Sequence, residues 1–211
     1  MTQRIVDRAT WLQERASLLA REKAATRELD ALAEARQALP WVRVEQDYTL
    51  ETSQGPRSLS QLFGSHDQLI VYHFMYGPNW RQPCDGCSAW AAALNGTLDQ
   101  IHAKNAELIC VSRAPIEQIL AVQAERGWTF TWASSYASSF NRDFHMSADE
   151  DCPWQDIGTE RVFYDRGESG GINVFAKTSE GVYHTYSAHN RGIQQMNGAF
   201  GYVDLLPYGG N

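Results

Sequence analysis

The run Gln68-Leu-Ile-Val-Tyr-His-Phe-Met-Tyr76 constrains this chain more than any other feature. It is almost unbroken in apolar and aromatic character, without the alternation of a strand that has one wet face. That predicts a strand covered on both sides. Gly77-Pro-Asn breaks it, a Cys-Asp-Gly-Cys pair follows at 84–87, and a helix is predicted from about Cys84 to Lys104. A second buried strand, Glu107-Leu-Ile-Cys-Val-Ser112, leads into a helix from Pro115 to Arg126. Pro115 takes a first-turn position, where its missing N–H costs nothing. Strands alternating with helices predict an α/β fold, a mixed sheet with helices on both faces.

The remaining elements are shorter. Trp41–Val44 alternates like a strand, Glu51–Pro56 is a turn, and Ser58–Phe63 a helical turn. Thr129–Ala133 reads as a further strand, and Ser134–Glu168 as irregular apart from a helical piece at Phe140–Phe144. Gly171–Lys177 and Gly181–Tyr186 form a predicted hairpin turning near Ser179-Glu180-Gly181, before a final helix over Arg191–Val203.

The first forty residues read as one long helix, free of Gly and Pro from Ile5 to Leu39 and ended by Pro40. Trp11, Leu18, Ala25, Leu32 and Leu39 recur every seven residues, widened by Leu12, Leu19 and Leu29. Arg15, Glu22 and Arg36 stand where a coiled coil needs apolar residues. The expectation is a surface helix with one apolar edge, docked on its own domain or pairing with a second copy as a homodimer. Residues 1–40 are thus a helical arm and 41–211 the working domain.

Charge excludes several functions. The net charge is −7. Residues 1–40 carry seven basic against six acidic side chains and the rest eleven against nineteen, so no basic patch offers itself to nucleic acid. No window approaches a membrane span, and Met1–Arg15 lacks the apolar stretch of a secretory signal. The expected location is the cytoplasm.

In that setting two close cysteines point to redox or metal chemistry, not to a structural staple. Cys87, Trp90, Ala91, Leu94, Leu98 and Ile101 share one helical stripe, which turns Cys87 inward. Cys84 lies three residues earlier at the helix N-terminus, where unpaired N–H groups and the helix dipole favour a thiolate. An exposed, acidified sulfur beside a sheltered one is what dithiol–disulfide exchange requires. Asp85 opposes the acidification, so Cys84 is expected to be less acidic than in a motif with neutral spacers.

For zinc the pair needs two more ligands. Cys152, His73, His145, His184 and His189 are available, but their spacing recommends none, and no metal or cofactor is assigned. A haem attachment needs His after Cys87, and Ser88 stands there. Cys110 reads as a small core hydrophobe, Cys152 as an unreactive thiol among carboxylates, and His73 as a satisfied core histidine. His184 and His189 bracket Tyr186 and are candidates to line a site. Tyr72, Tyr76, Trp80, Trp128 and Trp132 gather near strand ends, chiefly as core. Trp80, four residues before Cys84, and Pro83 are candidates to shape a substrate groove.

The stretches LPWVRVEQDY (39–48), LIVYHFMYGPNW (69–80), CDGCSAW (84–90), VSRAPIEQI (111–119), GWTFTWASS (127–135), FNRDF (140–144), VFAKTSEGVYHTYS (174–187) and RGIQQMNGAFGYVDLLPYG (191–209) carry a resemblance. The chain resembles a bacterial family catalogued as domain of unknown function 899, described as thioredoxin-like and as predicted dithiol–disulfide oxidoreductases. The resemblance implies a thioredoxin-like mixed sheet flanked by helices, with Cys84 attacking and Cys87 resolving. It implies a disulfide-containing protein or a small thiol as substrate. Two departures stand out. Thioredoxins keep a cis-proline before the late hairpin, where this chain has Glu168-Ser-Gly-Gly-Ile-Asn-Val, and a Trp before the attacking cysteine, where Pro83 stands. Peroxiredoxins, of the same architecture, attack peroxide with Thr-x-x-Cys; here Arg81 takes the threonine's place. Arg81 and Arg113 remain candidates to set positive charge near the thiolate, against the plainer expectation of solvated surface arginines. A thiol peroxidase, or a binding or metal-carrying domain, is the alternative reading.

Overall fold

A computed structural model describes residues 3–148, 154–157, 160–163, 167–189, 192–193, 196–203 and 205–207. The chain divides into two compact units, Met1–Pro40 and Trp41–Asn211. The first holds α1, Arg8–Gln37, opened by Asp7, whose side chain accepts from the Thr10 N–H (2.7 Å) as an N-cap. No residue of α1 is buried.

The second unit runs β1 (Val42–Arg43), β2 (Thr49–Thr52), β3 (Gly55–Ser58), α2 (Leu59–Leu62), β4 (Gln68–His73), α3 (Asp85–Leu94), α4 (Leu98–His102) and β5 (Ala106–Ser112). It continues with α5 (Ile116–Arg126), β6 (Thr131–Ser134), α6 (Phe140–Asp143), β7 (Trp154–Ile157), β8 (Glu160–Phe163), β9 (Gly171–Thr178), β10 (Gly181–His189) and α7 (Gly198–Val203). Eight strands form one mixed sheet in the order β1-β10-β9-β4-β5-β6-β2-β3, and β7–β8 pair separately. β4, β5 and β6 run parallel, and β9 lies antiparallel to β4 with Tyr72 opposite Ile172. The fold is thioredoxin-like, as the sequence implies.

The unbroken apolar run of β4 now has its reason. Alternate residues point to opposite faces, and each face has its own core. Tyr72, Phe74, Leu108, Cys110, Trp132 and Ile172 pack under α3 and α5. Leu69, Val71, Ile109, Val111, Ala133 and Phe175 pack with Leu59 and Phe63 around α2 and with Phe140 of α6. The predicted strand ladder stops at His73. Phe74–Tyr76 continue as extended chain, tied by Phe74 N–H to Val111 C=O (2.9 Å) and Ala114 N–H to Tyr76 C=O (2.8 Å).

Four expectations need correction. The helix predicted over Cys84–Lys104 is two helices, broken at Asn95-Gly96-Thr97. Asn95 Oδ1 accepts from the N–H (2.6 Å) and hydroxyl (3.0 Å) of Thr129, so it anchors the chain entering β6, and Gly96 is a poor helix former. The turn at 51–56 belongs to a β2–β3 hairpin whose strands the polar sequence hides. The β7–β8 hairpin lies in the segment expected to be irregular. The final helix is shorter than predicted, α7 alone following a 3₁₀ turn at Gly192-Ile193. Arg191, and Cys152 with its acidic loop, lie outside the described residues.

Candidate functional site

The chain leaving β4 turns back at Gly77-Pro78-Asn79, where the Trp80 N–H donates to the Gly77 carbonyl (3.1 Å). The turn demands glycine: a Cβ at residue 77 would lie 2.7 Å from Trp80 Nε1. Trp80 thereby folds over its own loop. Pro83 is buried, and Cys84 then becomes the N-cap of α3. Its sulfur takes the part usually played by a serine or aspartate oxygen and accepts from the Cys87 N–H at 3.4 Å. Met75 anchors the motif: its carbonyl accepts from the Cys84 N–H (3.1 Å).

The two sulfurs differ as the helical stripe predicts. Cys84 is half-buried, Cys87 is 5% exposed, and both are free thiols. Hydrogen bonding from the Cys87 thiol, with the N–H groups of Cys87 and Gly86, pulls the Cys84 thiol down to about 6 against the opposing effect of burial. Asp85 raises it, as its charge predicts, but is the weakest of these influences. Asp85 thus acts in the expected direction, while the donors aimed at the sulfur outweigh that solvated carboxylate. Cys87 moves the opposite way, its proton held by the Cys84 sulfur and by burial, against the Tyr72 hydroxyl and the Met75 N–H, which favour its thiolate. Tyr72 is fixed for that role by stacking on Trp90, ring centroids 4.1 Å apart.

Met75, Trp80, Gln82, Pro83, Cys84, Asp85 and Glu168 line a cleft of about 510 Å³. The structure thus brings Trp80, Pro83 and Cys84 together and adds Glu168, which the sequence reading passes over. Glu168 is 4% exposed, accepts from the Ser147 hydroxyl (2.9 Å) and pairs with Arg113 (3.2 Å). Burial raises its carboxyl to about 7, against Arg113 and Ser147. Two residues on, a Cβ at Gly170 would lie 3.8 Å from the Cys87 sulfur, so this segment passes directly over Cys87. Nothing in one sequence marks a carboxylate 84 residues from the pair as its neighbour. Its only signal is its place in the stretch that faces the cysteines in thioredoxins.

The other candidates are redistributed. Arg113 is not a solvated arginine but the half-buried partner of Glu168. Arg81 is exposed and lines a neighbouring cleft with Trp80, Gln118 and Val122, not the one that holds Cys84. His184 does not belong to the cysteine groove. It pairs in register with Phe175, and the bulge before Tyr186 keeps His184 and Ser187 on the sheet face opposite α3. There His184 and His189 line a separate cavity of about 510 Å³ with Tyr48, Asp143 and His145. His73 sits on that same face as a satisfied core histidine, bonded to Asn141 (3.3 Å) and Asn173 (3.0 Å) and driven down to about 3 by burial. Cys110 is fully buried, and burial pushes its thiol up.

No helix among the described residues is long and apolar enough to cross a membrane. A family model described as "Bacterial protein of unknown function (DUF899)" matches residues 1–211. No curated protein matches the chain. Among solved structures, peroxiredoxin Q of Xanthomonas campestris aligns with a TM-score of 0.53 at 16% identity, over 74% of this chain and 92% of its own. A cysteine-to-serine variant of PrxQ from Xylella fastidiosa gives 0.55 at 16% identity, over 75% and 90%. At such identities the likeness establishes the fold, and the chemistry must be argued from this chain's own residues.

Proposed function

We propose that this chain, which belongs to the bacterial DUF899 family, is a thiol–disulfide oxidoreductase acting through Cys84 and Cys87. One observation carries the reading: two free thiols share a helix start, one half-exposed and acidified, the other buried and holding its proton. The Cys84 thiolate attacks a substrate disulfide, forming a mixed disulfide and expelling one substrate sulfur as thiolate. Cys87 loses its proton as its partner's charge disappears, attacks the Cys84 sulfur and expels the second substrate sulfur. The substrate gains two electrons and the pair becomes a disulfide, returned to the dithiol by an external thiol reductant.

The Tyr72 hydroxyl and the Met75 N–H support the second step by stabilising the Cys87 thiolate as it forms. Trp80 and Pro83 shape the entrance. The substrate class is a disulfide-containing protein or a small disulfide, and the compartment the cytoplasm, where thiols are kept reduced. Reduction by the wild-type chain with dithiothreitol as donor, lost in Cys84→Ser, and mixed disulfides trapped in Cys87→Ser are the expected results. A wild type that neither reduces disulfides nor traps them in Cys87→Ser sinks the proposal. Stoichiometric peroxide consumption by Cys84 without disulfide reduction would transfer the site to peroxidase chemistry.

A further inference from the structure

We infer that His66, His102 and Glu107 form a zinc site at the end of the sheet opposite the cysteines. Their donor atoms all lie within 4.8 Å of one another, and all three side chains are half-buried. They come from three separate pieces of chain: the turn after α2, the last residue of α4 and the second residue of β5. Two imidazoles and one carboxylate are a borderline-soft donor set suited to zinc, with a fourth position left for water.

The donors stand near metal-binding separations, with the two imidazoles stacked at 12°, so that the His66 ring has to turn for its nitrogen to face the same ion. His102 Nε2 and Glu107 Oε1 are 3.0 Å apart, and the His66 and His102 ring centroids 5.1 Å. Zinc–nitrogen and zinc–oxygen bonds of about 2.0–2.2 Å in a tetrahedron put neighbouring donors about 3.3–3.6 Å apart. The hydrogen bond between His102 and Glu107 therefore occupies the space a metal would take, and His66 has to approach by about 1.5 Å at most. Binding replaces that hydrogen bond and leaves Glu107 Oε1 its second donor, the Leu108 N–H at 2.9 Å.

The chain around the three residues is braced independently of them. Asn105, held at φ 55°, accepts from the Asp67 N–H (3.3 Å) and donates to the Asp67 carboxylate (2.9 Å). Gln68 Nε2 donates to the Lys104 carbonyl (3.0 Å). These bonds clamp the His66 turn to the segment between His102 and Glu107, so the backbone that carries the donors is already held together and only side chains have to adjust. His66 and Glu107 flank the starts of β4 and β5, whereas Cys84 follows the far end of β4. Zinc here would be a clip on the fold, separate from the thiol chemistry.

The test uses the full chain carrying Cys84→Ser and Cys87→Ser, which removes the thiols as competing ligands. Titration with Co²⁺, then displacement by Zn²⁺, should give one saturable site with tetrahedral visible absorption and a Zn²⁺-dependent rise in Tm. Adding His66→Ala or His102→Ala should weaken binding by about 100-fold or more and abolish the rise, while His184→Ala should change neither. Both residues are half-exposed, and far-UV circular dichroism reports whether the variants fold. One equivalent of Co²⁺ should also broaden the ring signals of two of the six histidines without any substitution at the site. The inference is overturned by metal that binds only when both cysteines are present, by unchanged binding in the His66→Ala/His102→Ala pair, or by no binding at all.

Discussion

At the scale of single residues, the balance of influences on Cys84 matters more than the charge nearest to it. Asp85 is adjacent in sequence, yet the Cys87 thiol and two helix N–H groups act on the sulfur itself. A depressed thiol predicts a particular pH profile: alkylation of Cys84 by iodoacetamide should rise through a midpoint near 6 and be flat by pH 8. Asp85→Asn should move the midpoint slightly lower. A midpoint near that of a free thiol would show that the donors around the sulfur do not act. Glu168 makes the opposite case. Its folded carboxyl titrates near 7, above the ordinary 4.5, so between those values the folded state keeps a proton that the unfolded chain has lost. Its contribution is fully present below the unfolded value and is lost as pH rises toward 7. Urea midpoints of the reduced protein should therefore decline over that window, and the decline should be shallower in Glu168→Gln. Equal slopes in the two proteins would remove Glu168 from the titration.

At the scale of elements, local pattern was enough to read β4, β5, α5 and the late hairpin, because each has either an unbroken buried run or a clear turn signal. The stripe that turns Cys87 inward is legible for the same reason: Trp90, Ala91 and Leu94 of α3 mark the buried face locally. Elsewhere tertiary bonds override the local pattern. Nothing near Asn95 announces that its side chain will hold Thr129, 34 residues away, and end a helix. Asn95→Ala should cost about 1 kcal/mol of stability, the ordinary worth of such hydrogen bonds, read as a shift in the urea midpoint with unchanged slope. An unaltered midpoint would leave Gly96 as the sole cause of the break. His184 departs from its sequence expectation for a different reason. Side-chain direction in β10 depends on a bulge at Thr185, and an irregularity of one residue reverses the face on which everything after it lies. Glu168 and Tyr72 were invisible as parts of the site because contact with the cysteines is made only when separate strands are brought to one edge of the cleft.

At the scale of the whole molecule, a sheet with two buried faces explains how the chain keeps three candidate sites apart. The cysteine cleft, the histidine-lined cavity and the His66–His102–Glu107 cluster occupy one face, the opposite face and the far strand ends. The arm must be argued on its own terms. α1 has 30 residues and none is buried, with Trp11 46%, Leu18 47% and Leu32 41% exposed. Helices in proteins draw most of their stability from packing an apolar face, so the apolar edge of α1 calls for a cover, either its own domain or a second copy. Arg15 and Glu22, which interrupt the apolar repeat, bond to each other along the helix at 2.8 Å, so they are answered within the arm and do not bar a second helix. A second copy of the same edge is self-complementary, as a two-fold interface requires. Sedimentation velocity of the full chain should accordingly show a dimer, and Leu18→Glu with Leu32→Glu should return a monomer of unchanged far-UV spectrum in the working domain. A wild type that sediments as a monomer at every concentration tested would show that the edge is not a dimer seam.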